Sequence, residues 1–257
     1  MLFRSLPAEI GERRFSEFPP PHPDGRHFLL RWGGQDRHPS LLVVADAATD
    51  TFTRLETGVP THRVRFTKAP DLSVFINSNQ DPDRPGVQAR GEWVLTLDGR
   101  LRRLPPIGGH PDWSPGGKWI AGYREGGIWL ASWDGGVHRE LAAIGAGGHG
   151  GFSIATGAWH VGDSPRRGPY ADLVYVTALA TGEVVPIAYH GASYAGWGSG
   201  VPDPEATHPA PICSPDETKI VYDSDLLGQP DVWVAVWQLP EPPRHVRHAD
   251  GSLSWDV

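Results

Sequence analysis

Histidines recur at the starts of related segments in this chain, and imidazole is the side chain best suited to chemistry here. One segment reads HPAPICSPDETKIVYDS from position 208, and another reads HPDWSPGGKWIAGYRE from position 110. Neutral imidazole is a metal ligand and also a general base at neutral pH. A chemical site therefore follows if the fold brings the segment starts together. The histidines in this place are His62, His110, His149 and His208.

The segments around these histidines are repeats of two successive hairpins. The first hairpin of a repeat carries a strand such as HFLLRW, KWIAGY or TKIVYDS. The second turns at ATDT, LDGR, WDGG or ATGE, where Asp and Gly suit tight turns. Tandem units of four strands predict an all-β fold, a β-propeller of four-stranded blades. We expect one domain over 1–257, with blades at 15–60, 61–109, 110–148, 149–207 and 208–239 and a Pro-rich tail at 240–257.

The predicted fold explains how distant histidines could meet. The innermost strands of a propeller line its channel, and their starts gather at one mouth. The five units either close as a small ring or form the later part of a seven-bladed one, and the abrupt start of the chain favours the second arrangement. A histidine before proline can also simply hydrogen-bond a neighbouring blade, so the prediction concerns the group rather than each member.

Composition narrows the classes of function. The formal net charge of −7 provides no basic surface, so nucleic acid is not an expected partner. No apolar stretch has the length of a membrane span or of a signal-peptide core, so we expect no membrane partner and a cytoplasmic location. The single cysteine, Cys213, excludes an intramolecular disulfide framework and a cysteine-based zinc cluster.

The stretch from GGHPDWSPGGKW to SDLLG, positions 108–228, resembles the oligogalacturonate lyase family within the wider group of TolB-type propeller repeats. Members of that family are typically seven-bladed propellers that cleave uronate-containing oligosaccharides by β-elimination. They use a divalent metal, usually manganese, which is held by histidines and a glutamine. The resemblance therefore implies a polysaccharide lyase with a divalent cofactor, Mn²⁺, and an acidic oligosaccharide or polysaccharide as its partner.

The resemblance also implies metal ligands. His149 in GGHGGFS matches a metal histidine of the family, and His208 matches a second one. Glu205 stands where the family has its glutamine ligand. The family carries a further histidine two residues after the second, and this chain has Ala210 there. The alternatives for that ligand are His190, Asp203, water, or no metal at all.

The resemblance places catalytic groups in neighbouring blades. His110 matches the family's proposed general base, and either Arg84 or Arg90 falls in the blade that supplies the catalytic arginine. Ulvan lyases, which are also propellers, combine histidine with tyrosine and arginine. Tyr194 fits that catalytic role, and Tyr189 fits a substrate contact.

The chemistry of uronate cleavage requires such a set. The proton on C5 is removed only when the adjacent carboxylate is neutralised, by a metal or by arginine. Trp197, in the loop YAGWGSG, is the predicted sugar platform. Two other functions stay open. The protein could be a non-catalytic TolB-type propeller that serves as a binding or scaffold module, or a peptidase propeller separated from its hydrolase domain.

Overall fold

The structure is a computed structural model that describes most of the chain. The described residues are 15–17, 21–32, 40–58, 61–80, 88–164, 168–194, 207–237, 245–247 and 253–255. They form 21 β-strands and one 3₁₀ turn at Pro115–Gly117, and no α-helix occurs among them. Within this part of the chain no helix is long and apolar enough to cross a membrane.

The chain divides into two compact units, Met1–Pro106 and Ile107–Val257. Unit 1 holds two four-stranded antiparallel sheets. The strands of its first sheet are β1 (Phe15–Glu17), β2 (His27–Trp32), β3 (Leu41–Asp46) and β4 (Thr51–Glu56). The strands of its second sheet are β5 (Arg63–Phe66), β6 (Val74–Gln80), β7 (Gln88–Leu95) and β8 (Leu101–Arg103).

Unit 2 holds two further four-stranded sheets, one three-stranded sheet and one strand pair. The first sheet contains β9 (Gly109–Trp113), β10 (Trp119–Arg124), β11 (Gly127–Ser132) and β12 (His138–Ala143). The second contains β13 (Gly150–Phe152), β14 (Trp159–Asp163), β15 (Leu173–Ala178) and β16 (Val184–Tyr189). The third contains β17 (Ile212–Cys213), β18 (Lys219–Ser224) and β19 (Asp231–Val236), and the pair is β20 (His245–Arg247) with β21 (Leu253–Trp255).

Strand order within each sheet follows chain order, and all neighbours are antiparallel, which is the meander of a propeller blade. The second and third strands of the first four sheets are mostly buried on both faces, whereas β19 of the last sheet exposes alternate residues. The third strand LLVVAD of the first blade, for example, has four consecutive buried residues. The outer strand HRELAA is exposed over its first half. The predicted all-β fold, a propeller of four-stranded blades, is confirmed.

Face-to-face packing of successive sheets brings the innermost strands of unit 2 together. One buried cluster joins Tyr123 and Ile128 of the first sheet to Phe152 and Tyr175 of the second. Another joins the second sheet to the third through residues such as Val176. As a result β13 lies between β9 and β17, and the segments that start these three strands are neighbours.

Candidate functional site

Three of the predicted histidines and one predicted tyrosine are in contact in unit 2. The ring centroids of His110 and His149 are 4.4 Å apart, and those of His149 and His208 are 5.2 Å apart. The ring of Tyr194 lies 5.2 Å from that of His208. We call these four residues the histidine cluster. Its three histidines come from the starts of β9 and β13 and from the segment before β17, so the packing of the innermost strands assembles it.

A fully buried carboxylate, Asp163 at the end of β14, lies beside His149 of the histidine cluster. Its Oδ1 accepts a hydrogen bond of 2.7 Å from the backbone N–H of His149. Its Oδ2 accepts one of 2.9 Å from the backbone N–H of Ala210 and lies 3.5 Å from Nδ1 of His149. One carboxylate therefore fixes two segment starts and faces one imidazole. Asp163 is not among the residues predicted from the sequence.

The backbone of His149 is held on both sides. Its carbonyl oxygen accepts hydrogen bonds from the Tyr123 hydroxyl at 2.9 Å and from the N–H of Asp163 at 3.0 Å. Close approach requires the glycines of the GGHGG motif. A Cβ on Gly148 would lie 1.8 Å from Oδ1 of Asp163, and one on Gly150 would lie 2.2 Å from the carbonyl oxygen of Val161. The residues on either side of His149 must therefore be glycine, because a side chain at either position would clash with β14.

Three residues at the site have left-handed backbone conformations. The φ angles are 48° at His110, 47° at Tyr194 and 41° at Ala210. For residues with a Cβ this conformation costs on the order of 1–3 kcal/mol, and surrounding structure must hold it. At Ala210 the hydrogen bond to Asp163 supplies part of that restraint. Such strained residues gather at functional sites, which supports a functional reading of this cluster.

Burial sets the protonation of two cluster members. Burial raises the pKa of Tyr194 well above its ordinary value, and the charge and hydrogen bonding of Asp163 raise it further, so the phenol keeps its proton. Burial also lowers the pKa of His208, and neighbouring His149 lowers it again, although Asp163 opposes both effects. His208 is therefore neutral at neutral pH, with a lone pair available for a metal or a proton.

His190, which the sequence analysis offers as a metal ligand, has other contacts. It is fully buried, and its Nε2 lies 3.1 Å from the carbonyl oxygen of Ser164. Its Nδ1 accepts a hydrogen bond of 2.9 Å from the N–H of Ala192. Both ring nitrogens are thus engaged with the backbone, and these contacts do not support metal ligation. The ring lies 5.6 Å from that of Tyr194 and positions this residue instead.

The remaining candidates are not brought into the histidine cluster by the described structure. Tyr189 is 58% exposed, and its ring stacks parallel to that of His190 at 6.5 Å. His62 is exposed and belongs to unit 1. Arg90 lies on β7 of unit 1, and its side chain is outside the description. Predictions for Arg84, Trp197, Asp203 and Glu205 also fall outside the described residues.

Asp163 stands at the same position of its repeat as functionally similar residues in two other repeats. An alignment of the repeats could therefore have identified it from the sequence. Asp163 is the sixth residue of AWHVGDS, as Tyr123 is of KWIAGYR and Arg31 is of RHFLLRW. Each of the three reaches the start of the next innermost strand. Arg31 donates to two carbonyls before β5, Tyr123 donates to one before β13, and Asp163 accepts from an N–H before β17. We call this place the junction position.

Solved structures share this architecture. An oligogalacturonate lyase in complex with manganese matches 88% of this chain and 65% of its own, with a TM-score of 0.66 and 21% identity. An oligogalacturonate lyase from Vibrio parahaemolyticus matches 94% of this chain and 69% of its own, with a TM-score of 0.67 and 17% identity. A TolB candidate from Agrobacterium tumefaciens matches 82% and 70%, with a TM-score of 0.54 and 20% identity.

The chain thus spans about two thirds of the length of these lyases. No protein-family model and no curated protein matches it. At identities of 17–21% these likenesses establish the propeller fold. The resemblance to oligogalacturonate lyases and TolB-type propellers is therefore confirmed at the level of fold.

Proposed function

We propose that this protein is a lyase that cleaves uronate-containing oligosaccharides or polysaccharides by β-elimination at the histidine cluster. The observation that carries the proposal is the convergence of His110, His149 and His208, whose successive ring centroids are 4.4 and 5.2 Å apart. The fold shared with a manganese-bound oligogalacturonate lyase supports it. An acidic sugar is the proposed partner.

A divalent ion, with Mn²⁺ as our choice, is the proposed cofactor, and two of the described residues fit it. Nδ1 of His149 faces the Asp163 carboxylate at 3.5 Å, an arrangement that leaves Nε2 as the ligand atom. The lowered pKa of His208 keeps a second imidazole neutral. Glu205 is the proposed third ligand. A bound ion would supply a Lewis acid that stabilises the negative charge formed beside the substrate carboxylate.

The remaining cluster residues have roles in proton transfer. We assign His110 as the general base that removes the C5 proton, because its ring is next to His149. The C5–H electrons form the C4–C5 double bond as the bond from C4 to the leaving oxygen breaks. Tyr194, which keeps its proton, donates to that oxygen. Proton exchange with water then restores both side chains.

Substrate contacts are proposed for the other residues that the sequence singles out. The exposed ring of Tyr189 is available to stack on a sugar, and Trp197 is proposed as a second platform. Arg84 or Arg90 would bind a carboxylate in a bidentate manner. These assignments predict weaker substrate binding, rather than slower chemistry, when Tyr189 or Trp197 is replaced by alanine.

The test is an assay of folded protein on oligogalacturonate, ulvan and related uronates, with and without Mn²⁺. β-Elimination gives an unsaturated product that absorbs in the ultraviolet. We expect His149→Ala and His208→Ala each to abolish Mn²⁺ binding at the histidine cluster and turnover, and His110→Ala to abolish turnover while it retains Mn²⁺ there. His138→Ala, an exposed histidine on β12, is the matched control and should keep wild-type turnover. Wild-type turnover in all three cluster variants would refute the scheme.

Ala210 favours a second candidate, a non-catalytic TolB-type binding module. At this position the side chain offers no ligand, although the backbone is bonded to Asp163. A module of this kind would bind an acidic oligosaccharide, or a protein partner, without cleaving it. Saturable uronate binding by calorimetry, with no unsaturated product for any uronate, would select this function over the lyase.

A further inference from the structure

A second group of metal-ligating side chains lies in unit 1, far in sequence from the histidine cluster. His22, Asp24 and His27 precede or start β2, and one ligand atom from each lies within 4.8 Å of the others. We propose that these three residues bind a zinc-class divalent cation that ties the segment before β2 to the first residue of that strand. This site is independent of the proposed lyase activity.

The Asp24 carboxylate is oriented for this role by its own turn. Its Oδ1 accepts hydrogen bonds from the backbone N–H groups of Arg26 at 2.8 Å and His27 at 3.0 Å. The other oxygen, Oδ2, is thereby directed at two imidazoles. It lies 3.0 Å from Nδ1 of His22 and 2.6 Å from Nδ1 of His27. Both histidines thus present the same ring nitrogen to one carboxylate oxygen.

The protonation of His22 is set from outside the group. Its Nε2 lies 3.1 Å from the carbonyl oxygen of Ala69, which accepts only, so Nε2 carries the proton. In the neutral ring the Nδ1 lone pair accepts a hydrogen bond of 3.3 Å from the backbone N–H of Asp24, and Nδ1 lies 3.0 Å from Oδ2 of Asp24. A cation placed between Nδ1 and Oδ2 would have both atoms as ligands. Histidines that bind a metal through one ring nitrogen usually donate the N–H of the other ring nitrogen to a carbonyl or carboxylate, as Nε2 of His22 does here.

The surroundings of His22 hold its ring in one orientation. His22 is only 7% exposed, and its ring packs edge-on against Phe66 at 5.3 Å. A cation bound at Nδ1 would lie on the side of the more exposed Asp24 and His27. The nearby carboxylate of Asp46 is already bound by the Arg26 guanidinium.

The donor set selects the class of metal. Two imidazole nitrogens and one carboxylate oxygen suit Zn²⁺ and similar borderline cations, with water as a fourth ligand. Metal–ligand bonds of about 2.1 Å separate the ligands of a tetrahedron by about 3.4 Å. Oδ2 of Asp24 therefore needs to move less than about 1 Å from each ring nitrogen to admit the ion.

Zinc binding to the full-length chain tests the site. The background is the His149→Ala/His208→Ala double variant, which removes the proposed ligands of the other site. We expect it to retain one equivalent of Zn²⁺ after dialysis and to develop the visible bands of tetrahedral cobalt with Co²⁺. Adding Asp24→Asn or His27→Gln should weaken Zn²⁺ binding at least tenfold, by analogy with the loss of one metal ligand. Asp50→Asn, in an exposed turn of the same unit, is the matched control.

Thermal melting separates loss of the site from loss of the fold. Zn²⁺ should raise the melting temperature of the wild type and of Asp50→Asn, and should have no effect on Asp24→Asn or His27→Gln. All four proteins should melt at similar temperatures in EDTA. His27→Gln leaves the Asp24 turn intact, so it isolates the ligand. Zinc binding of wild-type strength in both site variants would overturn the proposal.

Discussion

The two units place opposite charges at the same position of the repeat. At the junction position unit 1 has Arg31, which is fully buried and donates to the carbonyl oxygens of Thr61 and His62 at 3.0 and 3.1 Å. Unit 2 has Asp163 at an equivalent place, also fully buried, and it accepts from backbone N–H groups. Both side chains link one blade to the next, and both satisfy backbone groups that water cannot reach.

The sign of the charge decides what else the junction can do. A guanidinium only donates, so it satisfies carbonyls and leaves the imidazole of His62 exposed. A carboxylate accepts several hydrogen bonds, so Asp163 can bind two N–H groups and still face Nδ1 of His149. A histidine at a blade start therefore becomes part of a site where an acceptor lies beside it. Beside the guanidinium of Arg31, His62 remains a surface residue.

Asp163→Asn should have the largest effect. The amide NH₂ would face one of the two N–H donors, which leaves a buried donor unpaired and removes the charge beside His149. We expect metal affinity and turnover to fall by about 10- to 100-fold or more, and the free energy of unfolding to fall by about 2–4 kcal/mol. Turnover, metal titration and urea unfolding measure these effects.

Arg31→Met is the counterpart in unit 1. It leaves two carbonyls unsatisfied and should cost stability of similar size, about 2–3 kcal/mol. Under conditions where the protein remains folded, turnover should stay at the wild-type level. A loss of turnover in Arg31→Met equal to that in Asp163→Asn would mean that both junctions affect turnover in the same way and that the charge at the junction does not distinguish their functions.

Gly148→Ala should have the next largest effect. The added Cβ would lie 1.8 Å from Oδ1 of Asp163, so either the carboxylate or the GGHGG backbone must move. We expect at least a tenfold loss of turnover with a smaller loss of stability, because the turn around His149 is displaced while most of the core is retained. Gly136→Ala, in an exposed turn where the nearest atom is a side-chain oxygen at 3.3 Å, should behave as the wild type.

His160 makes unit 2 sensitive to acid. Its ring is fully buried, and burial lowers the pKa of His160 to about 4. The unfolded state, with an ordinary pKa near 6.5, binds the proton first, so the free energy of unfolding should decrease as pH falls from about 6.5 to about 4. The decrease is up to about 3 kcal/mol.

Urea unfolding of His160→Phe measures this contribution. The variant fills the same apolar space beside Tyr123 and Phe152 and should lose most of the pH dependence in this range. An unchanged dependence would assign the acid sensitivity to other groups.

His62→Ala should have the smallest effect. The side chain is exposed, and the backbone N–H of His62 bonds to the carbonyl of Asn77 whatever the side chain is. We expect the free energy of unfolding to change by less than about 0.5 kcal/mol and turnover to remain unchanged. Loss of turnover comparable to that of His110→Ala would show that the two units contribute equivalent histidines.

Much of the fold could be predicted because it follows from local patterns. The strands HFLLRW and KWIAGY and the turns with Asp or Gly appear where alternation and turn chemistry place them. The convergence of His110, His149 and His208 followed from the repeat. Asp163 did not, because GDS and the YDS of the next repeat look alike in sequence, and only packing separates a buried aspartate from the exposed Asp223.

The surroundings of His190 and of His22 could not be predicted, because they depend on backbone atoms that only the folded chain brings near these rings. His190 was a reasonable ligand in the sequence, but the carbonyl of Ser164 and the N–H of Ala192 occupy its ring. The HPDG turn before β2 indicated a hairpin and nothing more. The proposed ligand group in this turn also depends on the carbonyl oxygen of Ala69, which bonds to Nε2 of His22 and is distant in sequence.

The residue at the junction position can differ from one repeat to the next. Arginine, tyrosine and aspartate have all been accommodated there, each as the fifth residue of a strand that pairs antiparallel with the next strand. Replacement of one residue can therefore alter the chemistry of a single blade boundary while its sister copies preserve the architecture. In a protein built from copies, such a position lets new activity arise without a new fold, and a designer could transfer a carboxylate to another boundary by the same route.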